Sequence, residues 1–342
     1  MASGEQIKVV FGSQDSDNWL LTTAIGGKYY KRWCDTALPY WLEYAEHHGL
    51  GVAVAVGDLF RADEPNLNGA WQKMLAPRAL REALGKDVRV ALIDTDVLMS
   101  GQARCIFDHA PIGNIAVISQ RNELPFPAKE LRRRVALYRR RFLDPTFPLA
   151  SILTATPEQV FAWAGLPSFD DYFCAGVVVL DTKSHADLFA EWYRQAPQDA
   201  RYQAIGAWEQ DWLNACVQSR DDVAWLDYSW QALWMYEVAA LYPFLYAEEC
   251  SSEVAQWCLA ASLLRNDFVH LAGRWESGLL GGTGPAFPQI DDFGAFSRQL
   301  SEHQKTPTTA VMRGTILPLR PDERTARSRV GHMFNSDNQE TA

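Results

Sequence analysis

Hydrophobic positions along this chain fall into short continuous runs that alternate with segments of helical spacing. "IKVVFGS" (7–13) reads as a first strand entering a Gly/Ser turn. In "KYYKRWCDTALPYWLEYAEHHG" (28–49), Tyr30, Trp33, Ala37, Trp41 and Tyr44 recur at helical intervals, and Gly49 closes the element. "GVAVAVG" (51–57) predicts a second strand, and "NGAWQKMLAPRALREALG" (68–85) a helix that Pro77 breaks and Gly85 ends. "VRVALIDTDVLMSG" (88–101) predicts a strand buried on both faces that runs straight into Asp94 and Asp96. "IAVIS" (115–119) is the next strand. This alternation over the first 120 residues predicts an open, mainly parallel α/β sheet, whose ligands bind beyond the carboxyl ends of the strands.

The pattern changes over 121–170. "LRRRVALYRRRF" (131–142) carries six arginines in twelve residues and is flanked by "ELPFP" and "DPTFP". It reads as a helical excursion over the sheet. Leu131, Val135, Leu137, Tyr138 and Phe142 supply an apolar side, so the ordinary expectation is an amphipathic helix with a solvated arginine face. Binding of an acidic acceptor or an anionic lipid surface is the alternative. "YFCAGVVVLDT" (172–182) resumes the buried strands, followed by helical "SHADLFAEWYRQA", "AWEQDWLNACVQS" and "SSEVAQWCLAASLLR", then a short late strand in "DFVHLAG" (267–273). Residues 1–280 are thus expected to form one domain. Residues 281–342 form a Gly/Pro-rich extension with one helix near "DDFGAFSRQLSEH" and an end expected to be disordered.

Composition narrows the class. The chain has 342 residues, 48% hydrophobic and 22% charged, which suits one large α/β domain with an appendage, or two domains. A net charge of −10 argues against nucleic acid binding through a general cationic field while leaving room for a local patch. "MASGEQIKVVFGS" has no signal pattern, and no apolar run approaches the ~18 residues of a membrane span. Six cysteines without a CxxC pair read as buried thiols, so the expected location is cytoplasmic, with peripheral membrane attachment through the arginine run as a variant. Thirteen tryptophans suit either core packing or platforms for sugar rings.

Three constellations carry chemistry. Asp94 and Asp96, two apart in extended chain, share a face and can converge on one divalent cation. Their oxygens suit Mg²⁺ or Mn²⁺, with the remaining positions taken by a substrate diphosphate. A cation also explains why two carboxylates end the most buried strand, since it offsets their desolvation. A second D-x-D, Asp15 and Asp17, reads as a solvated turn, with a base or ribose contact after the first strand as the alternative. His270, at the end of the late strand, is a core histidine or a third metal ligand, with Gly273 and Arg274 behind it. Glu209, Gln210 and Asp211 sit together between Trp208 and Trp212, to cap the helix or to grip sugar hydroxyls. The chain has no G-x-x-x-x-G-K-[ST], no G-x-G-x-x-G after a strand and no G-x-S-x-G, which argues against P-loop, dinucleotide-binding and serine-hydrolase readings.

In order, "LIDTDVLM", "YFCAGVVVLDT", "EQDWLN" and "VHLAGR" resemble the motifs of GT-A fold glycosyltransferases of the glycogenin-like and galactosyltransferase-like retaining families. "GAWQKMLAPRAL" resembles the W-x-K helix of related galactosyl- and xylosyltransferases. The resemblance covers roughly residues 5–280 and lies in order and spacing rather than in any one motif. It implies a GT-A (Rossmann-like) fold, an open mixed sheet with helices on both faces. It further implies metal held by Asp94, Asp96 and His270, and a nucleotide-sugar, most often a UDP-hexose, met by Lys73, Asp94, Ala175, Gly176, Gly273 and Arg274. Glu209, Gln210 and Asp211 would surround the anomeric centre. Cys174 stands where the families have Asn, and Glu209 where they have Asp, which leaves the donor sugar open. The function implied is hexose transfer with retention to an acceptor the sequence does not name. A metal-dependent nucleotidyltransferase and a nucleotide-sugar-binding protein without turnover are the rivals.

Overall fold

The computed structural model describes residues 6–13, 15–143, 146, 154–197, 209–246 and 252–272, all within the unit Met1–Lys305. The expected helix near 291–303 and the C-terminal extension lie outside the described residues, as do Trp208, Gly273 and Arg274. The strands are β1 (Ile7–Phe11), β2 (Asn18–Thr23), β3 (Gly51–Ala55), β4 (Arg89–Ile93), β5 (Val97–Met99), β6 (Ile115–Ile118), β7 (Val177–Asp181), β8 (Val223–Leu226), β9 (Ala232–Leu233) and β10 (Phe268–His270). Seven of them form one sheet in the order β1-β3-β2-β4-β7-β6-β8. Strands β3, β2, β4, β6 and β8 run one way, and β1 and β7 run the other. The sheet is therefore mixed and mainly parallel, as the alternation predicted. A small second sheet, β5-β10-β9, stands beside it.

Period-two alternation sorts the strand side chains into two cores. Leu20, Val52, Val54, Ala91, Ile93 and Val179 face one, which packs against Trp33, Trp41 and Tyr44 of the first two helices. Trp19, Leu21, Ala53, Val90, Leu92 and Val178 face the other, against Leu80, Phe189 and Leu213. Helices thus cover both faces, which is why β3 and β4 read as unbroken apolar runs. At the β2–β3 seam Trp19 pairs with Gly51. A Cβ on Gly51 would stand 2.4 Å from the Trp19 ring, so only glycine can start that strand.

Three expectations change. The strand at 7–11 is an antiparallel edge strand on β3, and the strand that leads the parallel set is β2. Its sequence "NWLLTT" follows the polar turn of Asp15 and Asp17 and is too short for a periodicity signal to stand out. The helix expected over 28–49 is two, Gly27–Thr36 and Leu38–His48, because Pro39 lies at the start of the second and lacks the N–H that a continuous helix would use. Strands β8 and β9 and the helix Trp234–Leu241 had no distinct pattern, since "VAWLDYSWQALWMYEVAAL" is apolar with only scattered polar residues. Other boundaries agree: the break before Pro77 is a 3₁₀ turn, Lys73–Leu75, and Gly49 and Gly85 end their helices at φ 66° and 67°. The arginine run is the helix Ala128–Tyr138, continued by a π turn, Arg139–Leu143. Among the described residues no helix is long and apolar enough to cross a membrane, and Cys34, Cys105, Cys174 and Cys216 are free thiols.

Candidate active site

Strand β4 ends at Ile93, and the chain turns through Asp94-Thr95-Asp96 into β5. The turn is held from three sides. Asp94 N–H donates to the Gly176 carbonyl at 2.9 Å, Val97 N–H to the Asp94 carbonyl at 3.2 Å, and Leu271 N–H to the Asp96 carbonyl at 3.0 Å. Because β10 pairs antiparallel with β5, His270 lies opposite Val97, directly beside the turn. Asp94, Asp96 and His270 are thereby brought together across 174 residues of chain, with one ligand atom of each within 4.8 Å of the others.

His270 is 3% exposed. Its Nε2 lies 3.1 Å from Asp96 Oδ1 and 3.9 Å from Asp94 Oδ2. On the far side of the ring, Nδ1 donates to the side-chain oxygen of Gln231 at 3.0 Å, while the Gln231 amide nitrogen donates to the Cys174 carbonyl at 3.0 Å. This orientation of Gln231 also lets its oxygen accept from the Gly176 and Val177 N–H groups at 3.2 Å. With Nδ1–H engaged by Gln231, Nε2 is left facing the two aspartates, the arrangement of a metal-ligating histidine with an outer partner. Burial works to lower the imidazole's proton affinity, but Asp96, followed by Cys174, outweighs it and holds the pKa well above its ordinary value. The Cys174 thiol is 3.6 Å from Nδ1. Gly176 has a steric role here: a Cβ would sit 2.3 Å from His270 Cε1 and 2.5 Å from the end of the Gln231 side-chain amide.

The second half of the site is an ion network. Lys73, from the 3₁₀ turn, is 5% exposed. Its Nζ lies 2.6 Å from Asp94 Oδ1 and 2.9 Å from Glu209 Oε1, with the Ala175 carbonyl at 3.4 Å. Burial disfavours the ammonium, yet Asp94 and then Glu209 overcome it, and the Lys73 pKa is raised above the ordinary lysine value. Burial raises the Asp94 carboxyl, opposed by Lys73 and His270. A third of the Asp94 side chain (32%) remains open, so this carboxylate faces the mouth of the site while Lys73 and Glu209 form its floor.

The helix Glu209–Gln218 docks on the segment before β7 through side chains that replace a neighbouring strand. Ala175 N–H donates to Gln210 Oε1 at 3.0 Å. Asn214 accepts from Phe173 N–H and donates to its carbonyl, both at 2.8 Å. Gln210 Nε2 donates to the Tyr172 hydroxyl at 2.9 Å, and that hydroxyl donates to Asp211 Oδ1. Asp211 is 1% exposed, and burial pushes its carboxyl up to about 7 against the Tyr172 hydrogen bond.

Lys73, Asp94, Asp96, Ala175, Gly176, Glu209, Gln210 and His270 therefore share one cluster. Asp211 lies one layer beneath it, turned onto Tyr172. Gly273 and Arg274 lie outside the described residues. Asp15, by contrast, is an exposed turn residue bonded to Ser13. Sequence reasoning missed Gln231 and Tyr172. The only signal for Gln231 was a lone amide inside the apolar run "WQALW". Tyr172 was legible only as part of a strand.

The donor set fits a hard-to-borderline divalent cation: two carboxylates and one imidazole with ligand atoms within 4.8 Å of one another, the imidazole's second nitrogen already satisfied. A Lys⁺ beside a half-open carboxylate adds a position for a phosphate or hydroxyl oxygen.

No family model matches the chain, and no curated relative matches it. Solved glycosyltransferase structures do. The bifunctional glycosyltransferase WbbM matches over 85% of this chain at 14% identity and a TM-score of 0.46, and the chain spans about half (52%) of WbbM. A glycosyltransferase involved in glycosylating the major capsid of PBCV-1 matches over 84% of this chain and 98% of its own, at 10% identity and a TM-score of 0.38. The galactosyltransferase LgtC, in complex with donor and acceptor sugar analogues, matches over 91% of this chain and 99% of its own, at 11% identity and a TM-score of 0.38. These likenesses are distant ones of overall fold, and what the site can do is carried by its own residues.

Proposed function

We propose that the chain is a metal-dependent glycosyltransferase that moves a hexose from a nucleotide-diphospho-sugar, with a UDP-hexose as donor, to a hydroxyl acceptor with retention. The catalytic domain would be residues 1–280, with 281–342 an extension, in a cytoplasmic protein. One observation supports this reading above the others: Asp94, Asp96 and His270 converge at the carboxyl end of β4, beside the Lys73–Glu209 pair. Bound there by Asp94, Asp96 and His270, Mn²⁺ or Mg²⁺ would supply charge neutralisation for the departing diphosphate.

The chain's own side chains do the rest. Lys73 keeps Asp94 oriented and offers a cation to the donor's hydroxyl or phosphate oxygens. Glu209 and Gln210 stand across from Asp94 and would meet the anomeric centre, where positive charge develops. Gln210 is uncharged and so is no base at neutral pH, which agrees with the departing diphosphate accepting the acceptor's proton on the same face. Asp211 would act one step removed, by fixing Tyr172 and through it Gln210. Ala175 and Gly176 would line the donor, and Gly273 with Arg274 would follow the diphosphate.

Calorimetry tests the core of this. UDP should bind only with Mn²⁺ or Mg²⁺, Asp96→Asn should abolish that binding, and His270→Ala should weaken it about ten- to a hundredfold. Equal affinity in parent and both variants would remove the metal assignment. With an α-linked donor, NMR of the anomeric proton should show an α-linked product. A β-linked product would reassign Glu209 or Asp211 as a general base.

A further inference from the structure

The arginine helix does not present a uniformly solvated face. Lys129, Arg132, Arg133, Arg140 and Arg141 line one side of a groove of about 900 Å³. Thr156 and Gln159, the capping pair of the helix Pro157–Ala164, line it as well. Among the described residues no carboxylate lines this groove. The one acidic residue of the arginine helix, Glu130, is paired with Arg134 instead. Arg132, Arg133 and Arg140 have no carboxylate partner among the described residues, in a chain whose net charge is −10. A cationic concavity maintained against the overall charge is complementary to an anion.

A chain of neighbouring side chains leads from the groove toward the candidate active site. Arg121, 4% exposed, lies over the Tyr172 ring at 5.1 Å, and Tyr172 is bonded to both Gln210 and Asp211. Arg132 is close enough to Arg121 that, after burial, this neighbour's charge helps hold its own pKa below the ordinary arginine value.

We propose that this groove binds an anionic, soluble oligosaccharide acceptor, its carboxylate, sulfate or phosphate groups on Arg132, Arg133 and Arg140 and its free end toward Gln210. The word acceptor rests on the glycosyltransferase reading; the anion site does not. Shape favours an inserted chain over a lipid surface. The arginine helix buries Leu131, Val135 and Ala136 and leaves Leu137 as its exposed large apolar residue, whereas an interfacial helix needs a broad apolar face turned outward.

The test uses the full chain, a sulfated heparin tetrasaccharide and uncharged maltotetraose, with calorimetry at low and physiological salt. The parent should bind the sulfated probe and not the neutral one, more weakly as salt rises. The triple variant Arg132→Gln/Arg133→Gln/Arg140→Gln should bind it about tenfold more weakly or worse, whereas the corresponding triple Lys variant should retain salt-sensitive binding. Metal-dependent UDP binding should stay within about twofold in both variants, which shows that the fold survives. The proposal is overturned if the parent ignores the sulfated probe, if the Gln variant binds it unchanged, or if phosphatidylserine vesicles capture the parent through these arginines without competition from the probe. A parent that binds the probe through the groove yet never binds UDP would overturn the glycosyltransferase function and leave the anion site standing.

Discussion

Replacing Lys73 by Met tests the ion network at the floor of the site. In the folded protein Lys73 Nζ bridges Asp94 and Glu209 at 2.6 and 2.9 Å, and the Lys73 and Glu209 side chains are 6% and 9% exposed. Methionine fills nearly the same space, so the change is one of charge rather than packing. It leaves the buried Glu209 carboxylate without its cation, and stranding one partner of a buried pair costs about 3–5 kcal/mol. Asp94 is 32% exposed and recovers part of its hydration, so the lower end applies, about 3 kcal/mol at neutral pH. In a chain of this size that lowers the thermal midpoint by roughly 4–5 °C. The pH dependence has a definite sign. Burial already raises the Asp94 pKa above 3.8, and Lys73 is the leading opposing influence, so removing Lys73 raises it further in the folded state alone. The folded variant then holds a proton that the unfolded chain releases. The penalty is therefore absent near pH 4, grows as pH rises through the folded-state value, and is complete above it. Thermal and urea unfolding at several pH values, with a chelator present, measures this. Lys73→Met/Glu209→Gln should recover about half of the loss, because the stranded charge is gone. A loss below about 1 kcal/mol, or one independent of pH between 4 and 8, would refute the argument, since it would mean that water already solvates both carboxylates.

Two further substitutions probe neighbouring layers. Asp211, raised by burial to about 7, favours the protonated folded state, so the parent should lose stability as pH climbs from about 4 through 7. Asp211→Asn should flatten that part of the profile and raise the midpoint at pH 8 relative to the parent; an unchanged profile would assign the titration elsewhere. Gly176→Ala should force the His270 ring and its neighbours apart by about 1 Å, since the added Cβ would stand 2.3 Å from Cε1 where ordinary contact begins at 3.4 Å. Metal-dependent UDP binding should fall about ten- to a hundredfold while far-UV dichroism stays unchanged; wild-type affinity would show that the ring's position is not what sets the site.

The alternation of apolar runs and helical periods was sufficient to predict an open α/β sheet, because each strand and helix carries its burial pattern in its own few residues. Asp94, Asp96 and His270 were legible for the same reason: each stands at the end of an unmistakable strand, "ALID" or "FVH". Their meeting was not. It depends on β10 pairing with β5 across 174 residues, a register that no local pattern encodes. Tertiary structure alone also decided that "IKVVF" is an edge strand while "NWLLTT" leads the parallel set, since strand order is a matter of which edges find each other. Side-chain roles followed the same division. A sequence shows that Lys73, Glu209 and Gln231 exist, but burial decides what they do: a charge or amide removed from water must find a partner. Those partners, Asp94 for the lysine and His270 for the amide, come from distant parts of the chain. The arginine run shows the converse. Its charge was evident in the sequence, but whether that charge faces open water or lines a groove depended on where the helix Pro157–Ala164 came to rest.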